Sequence, residues 1–418
     1  MILYRLFIHL YQLAIRLAGP FHSKAHQWTA GRRNWRSRLR RGLQSVQAAQ
    51  RPLLWMHCAS LGEFEQGRPL LEAIKQRQPE TAILLTFFSP SGYALRKNYP
   101  LADHVAYLPA DTPRNARDLV DIVRPAQVLF VKYEFWYYTL QCIQRRGIPL
   151  FLVSALFRPG QVFDRFWGAP FRRLLQGFTH VFVQTEASGA QLERWGVPNY
   201  TVAGDTRVDR VDALAQQRQA FPVVERFAGK APVLVAGSTW PPDEALLAEL
   251  LNGPLPPDWK VIIAPHQIEE NKMAQLEARL SLPTVRYSRA AGESKLPGAR
   301  VLIIDNVGML ASLYQYGRLA YIGGGFGVAI HNTLEPIAFG LPVLFGPRYT
   351  KFEEAVQLVA RGGAFAVETP EALRRRFKAL LEEPTWQAAS AEARGYIDRN
   401  RGATERILQV IPSVKALH

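Results

Sequence analysis

Ten short, almost wholly apolar runs, set in two series and separated by segments of helical length, constrain this chain more than any other feature. The first series is LLWMHC (53–58), AILLTFF (82–88), VLFVK (128–132), LFLVS (150–154) and VFVQT (181–185). Between them lie segments such as GRPLLEAIKQR (67–77) and RNARDLVDIV (114–123). A strand covered on one face alternates apolar and polar residues, whereas one that is apolar throughout is covered on both. Helices between the strands supply that cover and return the chain for parallel pairing. From about residue 205 to 231 the pattern lapses into polar, helix-like sequence. A second series then begins with VLVAG (233–237), VIIAP (261–265), VLIID (301–305), LAYIG (319–323) and PVLF (342–345). The spacing predicts two doubly wound α/β halves joined by a linker near residues 205–222, with a ligand at the carboxyl ends of the strands. A length of 418 residues, 48% of them hydrophobic, is enough for two cores.

No Asp or Glu occurs before Glu63, while Lys and Arg number ten over the same stretch, so the leader carries much of the formal net charge of +16. Between Met1 and Ala18 the polar residues Arg5, His9, Gln12 and Arg16 are spaced four, three and four apart, which makes one stripe of a helix otherwise nearly all apolar. A secretory signal has an uninterrupted apolar core, and a spanning helix has about 20 apolar residues with few charges. The pattern instead predicts an amphipathic helix lying in an anionic membrane interface, with Trp28, Trp35 and the cluster GRRNWRSRLRR (31–41) adding headgroup contacts. A first helix that simply packs on the protein body is the plainer alternative. No zinc-finger spacing or RRM-type aromatic motif accompanies the arginines, so nucleic acid is not expected as a partner. Cys58 and Cys142 give neither a disulfide framework nor a CxxC metal site.

In the second half several runs end in small or polar residues: Gly237-Ser238-Thr239, Pro265-His266 and Asn306-Val307-Gly308. Gly323-Gly324-Gly325-Phe326-Gly327 leaves another and leads into HNTLEPIAFG (331–340). A glycine-rich turn lets backbone N–H groups approach a phosphate, and a helix N-terminus behind it adds partial positive charge. Glu335 is suited to accept paired hydrogen bonds from ribose hydroxyls, with Asn332 one turn earlier. A tight strand-to-helix turn with an ordinary N-terminal acid fits the same run.

Taken together, GRRNW (31–35), ASLGE (59–63), TFFSPSG (86–92), KYEFW (132–136), AGSTW (236–240), the glycine-rich turn and HNTLEP (331–336) make the chain resemble the 3-deoxy-D-manno-octulosonic acid (Kdo) transferases of lipopolysaccharide assembly. The resemblance spans nearly the whole length and implies a GT-B fold, two Rossmann-like domains facing across a cleft. It divides the chain into a membrane-associating helix and basic collar (1–50), an acceptor-binding domain (51–210), a donor-binding domain (211–390) and a C-terminal helix returning to the first domain (391–418). It further implies CMP-Kdo as donor, a lipid A precursor as acceptor, inversion at the transferred sugar, and a place on the cytoplasmic face of the inner membrane.

Under the same resemblance Glu63 is the general base, a role that suits a carboxylate tuned by burial within reach of the nucleophile. A helix N-terminal carboxylate is the structural alternative for it. Glu134 and Lys132 are auxiliary or acceptor-side candidates. Ser238, Thr239, Pro265, His266, Gly308, Gly323, Gly324, Gly325, Asn332 and Glu335 are placed around CMP-Kdo. No Asp-x-Asp motif is present, so metal-independent transfer without a cofactor is expected. Two positions depart from the family pattern: Gly204-Asp205-Thr206-Arg207 stands where many members have Gly-Asn-x-Lys, and Pro265 adjoins His266 where many carry an intervening Arg. The competing readings are a GT-B transferase or epimerase acting on a UDP-sugar, and a non-enzymatic basic protein docking on membranes.

Overall fold

The computed structural model describes residues 2–132, 134–253, 255–290, 292 and 296–415. The chain forms two compact units, one running up to Asp209 and resumed from Gly402 onward, the other Arg210–Arg401.

The first unit is built on seven strands: β1 (Leu53–Cys58), β2 (Ala82–Phe87), β3 (His104–Tyr107), β4 (Gln127–Val131), β5 (Leu150–Ala155), β6 (His180–Val183) and β7 (Tyr200–Val202). Their order is β3-β2-β1-β4-β5-β6-β7 and every pairing is parallel. Alternation within the apolar runs divides them between two cores. Leu53 and Trp55 of β1 join Leu84, Val128 and Leu152 on one face, where Leu39, Leu43 and Val46 of the leader helix Trp35–Ala48 cover them. Leu54, Met56 and Cys58 join Leu85, Leu129 and Val153 on the other, beneath Phe64, Leu70 and Ile74 of the helix Leu61–Arg77. Ile407 and Ile411 complete that second core, because the chain returns at Gly402 for the helix Ala403–Val410, and the amides of Gly402 and Thr404 donate to Asp209.

The second unit repeats the plan with β8 (Val233–Thr239), β9 (Lys260–Pro265), β10 (Thr284–Arg286), β11 (Val301–Ile303), β12 (Leu319–Ile322), β13 (Val343–Phe345) and β14 (Ala364–Ala366). Their order is β10-β11-β9-β8-β12-β13-β14, again all parallel. Leu234, Ile263, Ile303 and Tyr321 pack against Leu246, Leu250 and Phe377 from the helices Pro241–Leu251 and Pro370–Ala379.

The first helix, Ile2–Ala18, rests on the first unit by a narrow face. Ile8 is buried and Tyr4, Tyr11 and Ile15 are half-buried, whereas Leu3, Leu6, Phe7, Leu10, Leu13 and Leu17 are exposed, each by more than half. At about 100° per residue the two sets adjoin on one side, where Phe7 stacks on Tyr11, and are parted on the other by Arg5, His9, Gln12 and Arg16. The helix thus packs on the body and also presents a second apolar face. Among the described residues no helix is long and apolar enough to cross a membrane.

Candidate active site

In both sheets the strand order reverses at one point, between β1 and β4 in the first and between β8 and β12 in the second. The connections leaving such a pair turn to opposite sides and open a crevice at the carboxyl ends.

In the first unit Glu63 and Lys132 lie on the two sides of this point. Glu63 is the third residue of the helix Leu61–Arg77, which Ser60 caps. The Ser60 hydroxyl accepts the Glu63 N–H at 3.4 Å, and Glu63 Oε2 accepts the N–H of Ser60 at 3.3 Å and that of Ala59. Burial raises the Glu63 carboxyl above its ordinary range, opposed by the Ala59 amide, the charge of Lys132 and the Ser60 amide. The carboxylate thus closes the capping box through Oε2. Lys132 follows β4 with φ +61°, its amide donating to Val153 O at 2.9 Å. Glu134 follows, its carboxyl pushed up to about 7 by burial and then by the negative charge of Glu63. The two acids interact electrostatically although they come from separate segments, the helix after β1 and the loop after β4.

Asp205 and the first residues of the helix Thr206–Gln216 belong to this neighbourhood. Thr206 Oγ1 donates to Gln66 O at 2.5 Å and lies 3.2 Å from Ser154 Oγ. Burial works against charge on Asp205, but Arg207 at 2.6 and 2.9 Å, with the charge of Lys132, holds it below the usual carboxylate range. The substituted position therefore carries an ion pair between Asp205 and Arg207.

At the second switch point Ser238 has φ +54°, where the pairing of β8 with β9 shifts register. With Lys132 and Ser154 (φ +55°), it makes three non-glycine residues in the left-handed region at or beside strand carboxyl ends, each costing about 1–3 kcal/mol. Thr239 is buried and donates to Glu244 Oε1 at 3.2 Å. Pro265 ends β9 and His266 follows, exposed, its amide on Thr239 O. Gly308, with φ +98°, turns the chain beyond β11 on the same edge.

The glycine-rich run differs from its expected use. The Gly323 N–H donates to Gly237 O and the Gly324 N–H to Asp243 Oδ2, both at 2.9 Å, so these two amides are engaged within the fold. A Cβ on Gly323 would lie 2.3 Å from Ser238 O, and one on Gly325 would lie 2.6 Å from the Gly346 backbone. The glycines are needed for close approach of backbones. Nor does a helix follow directly: the helix Leu334–Ala338 has five residues and begins nine positions beyond Gly325 (334 − 325), too short and too distant to supply the expected dipole there. Asn332 caps that helix, accepting the Leu334 N–H at 3.1 Å and donating to Glu335 Oε1 at 2.9 Å. Burial raises the Glu335 carboxyl, opposed by Asn332 and the charge of Arg210.

Three residues unassigned by sequence reasoning stand in the middle of this group. Asp243 accepts Trp240 N–H, Gly324 N–H and Tyr321 Oη–H, each at 2.9 Å, and so joins β8, β12 and the helix Pro241–Leu251. The His266 ring stacks against both Trp240 at 4.6 Å and His331 at 4.5 Å, whose own rings lie nearly parallel with centroids 6.5 Å apart. Trp240 Nε1 donates to His331 Nε2 at 3.0 Å, and burial together with the neighbouring His266 pushes the His331 imidazole down to about 4, leaving it neutral and able to accept. Both Trp240 and His331 lie in quoted motifs, but separation along the chain conceals their stacking. Among the described residues no three His, Cys, Asp or Glu side chains converge as a metal site.

A family model described as 3-deoxy-D-manno-octulosonic-acid transferase (kdotransferase) matches residues 33–210. A 3-deoxy-D-manno-octulosonic acid transferase of Bordetella pertussis is 29% identical over 378 residues, covering 86% of each chain. The protein of the same name from Aquifex aeolicus is 26% identical over 358 residues, covering 83% of this chain and 92% of its own. Among solved structures, the UDP-GlcNAc 2-epimerase of Neisseria meningitidis bound to UDP-GlcNAc superposes with a TM-score of 0.60 at 16% identity, covering 86% of this chain and 98% of that one. Acinetobacter baumannii MurG superposes at 0.52 and 13% identity, covering 86% and 99%. At these identities the structures establish the fold alone, which is GT-B.

Proposed function

Given that the chain belongs to the Kdo transferase family, glycosyltransferases of lipopolysaccharide biosynthesis, we propose that it transfers Kdo from CMP-Kdo to a hydroxyl of a lipid A precursor, with inversion and with Glu63 as general base. The observation that carries the reading is the meeting of Glu63, Lys132 and Glu134 about the first switch point.

Glu63 removes the proton of the acceptor hydroxyl as that oxygen attacks the anomeric carbon of Kdo. The bond from that carbon to the CMP phosphate breaks on the opposite face, its electron pair leaving with the phosphate. Oε2 is engaged by the Ala59 and Ser60 amides, so Oε1 is the oxygen assigned to the proton. An ionised Glu134 raises the proton affinity of Glu63, and Lys132 balances the pair. The departing nucleotide is assigned to the second unit, with Ser238, Thr239, Pro265, His266, Gly308 and Gly325 around its phosphate and Asn332 and Glu335 at its ribose. Transfer is assigned no metal, and EDTA is expected to leave the rate unchanged; activity that collapses and returns with magnesium is the contrary result. The exposed leucines of the first helix support its lying in a membrane interface, which we assign to the cytoplasmic face of the inner membrane.

Glu63→Gln is the discriminating experiment, because Gln still closes the capping box but is no base. Transfer is expected to fall by roughly two to four orders of magnitude, with CMP binding and melting temperature close to wild type. Retained transfer would leave Glu63 only its helix-capping duty. Binding of UDP in place of CMP would favour a UDP-sugar enzyme.

A further inference from the structure

A cavity of about 690 Å³ beneath the first helix has no part in the transfer chemistry; Gln12, Arg16, Trp28, Arg33, Trp35 and Arg36 stand in its wall. The guanidiniums about it have different duties. Arg32 donates to Leu108 O at 2.8 Å and Phe88 O at 2.9 Å and lies 3.9 Å over the Trp28 ring, which makes it a structural tie. Arg36 is held by Asp118 at 2.6 Å and Asn115 at 2.8 Å. Arg16 and Arg33 have no ion-pair partner among the described residues, and no acid precedes Glu63 in the sequence to supply a local one. Trp28 is 7% exposed and its indole N–H is buried without an acceptor. The wall therefore holds two exposed guanidiniums without ion-pair partners beside two indoles, a setting that suits a small oxyanion.

The position of the cavity selects the kind of oxyanion. Gln12 and Arg16 occupy the stripe of the first helix between its body-facing residues and its exposed leucines, and Leu13 and Leu17, 52% and 66% exposed, flank Arg16 on the outer side. An anion held at Arg16 thus has an apolar path leading outward from it, which suits a molecule with an acyl tail.

We propose that this pocket takes the phosphate ester of an anionic lipid headgroup, held by Arg16 and Arg33 against the Trp28 and Trp35 indoles, with the acyl chains lying along Leu13 and Leu17. The pocket rests on the reading of the first helix as interfacial. It adds a defined headgroup seat to what is otherwise diffuse attraction between a basic collar and a charged surface. Guanidinium forks recognise phosphate in two-point geometry, whereas diffuse attraction depends only on the number of charges.

That difference is measurable in the full-length protein by sedimentation with phosphatidylcholine vesicles, with and without phosphatidylglycerol. Arg16→Gln/Arg33→Gln and Arg40→Gln/Arg41→Gln remove the same charge from exposed positions, but Arg40 and Arg41 lie outside the pocket. The pocket pair is expected to lose roughly tenfold more affinity for the anionic vesicles than the control pair, with melting temperature and partition to neutral vesicles unchanged. Equal losses overturn the pocket and leave only diffuse charge. Failure of the wild-type chain to sediment with either vesicle overturns the interfacial reading itself. Glycerol phosphate is expected to compete better than inorganic phosphate; equal competition assigns the pocket to free phosphate and overturns the lipid.

Discussion

Glu134 shows what a single residue contributes and what it costs. Its carboxyl, pushed up to about 7 by burial and by Glu63, lies above the unfolded value of about 4.3. As pH rises from about 4.3 to 7 the unfolded chain releases a proton that the fold retains, so stability falls through that window and the loss is complete above it. Glu134→Gln is therefore expected to stabilise the protein by roughly 1–3 kcal/mol at pH 8 and by nearly nothing at pH 4, read by denaturant melts at the two values. Equal stability of the two proteins at pH 8 would mean that this carboxyl carries no such penalty. In the transfer reaction the wild-type rate is expected to rise through an inflection near pH 7 as Glu134 ionises and strengthens Glu63, and the variant is expected to lack that inflection. ASLGE and KYEFW made both acids visible in the sequence. Their mutual charge was not visible, because it arises from the adjacency of β1 and β4. Asp243 was missed for a similar reason: its three donors come from Trp240, Tyr321 and Gly324, and nothing local marks a carboxylate that joins two strands.

At the scale of elements, legibility followed burial. The ten apolar runs correspond to interior strands, whereas β3, β7, β10 and β14, absent from the sequence reading, are the four edge strands of the two sheets. An edge strand is paired on one side and partly open to water, and its residues here are largely half-buried, so no continuous apolar run is required. The attachment of the first helix was equally hidden. Asp111, 1% exposed, accepts Tyr4 Oη–H at 2.7 Å, the amides of Tyr138 and Thr139 at 2.9 Å each, and Thr139 Oγ1–H at 2.7 Å. It thereby caps the helix Tyr137–Arg145 that follows Glu134 while holding the leader against it. Tyr4→Phe removes one of these bonds and is expected to cost about 1 kcal/mol, whereas Asp111→Ala deprives four donors and is expected to cost about 3–5 kcal/mol. Chemical denaturation measures both; equal costs would place the strength of the latch in the Tyr4 hydroxyl alone.

For the whole molecule, the proposed membrane placement rests on the leader. Its outer leucines touch little of the protein, so Leu6→Ser/Leu10→Ser/Leu13→Ser is expected to leave the melting temperature unchanged while lowering vesicle partition by roughly tenfold or more. A large fall in melting temperature would mean that this face is needed by the fold. The sequence by itself determined the class of architecture, since runs apolar on every residue cannot stay in water and require cover on both faces. It also determined the polar stripe of the first helix, which follows from a fixed 3.6-residue period. Tertiary structure alone decided which of the helix's two apolar faces meets the body, since Ile8 and Leu10 are alike in hydrophobicity and differ only in what stands opposite them. It also decided that the Gly323 and Gly324 amides turn inward and that Trp240, His266 and His331 stack. Those outcomes depend on strand order, and strand order is fixed by packing between segments far apart in the chain, which no local pattern encodes.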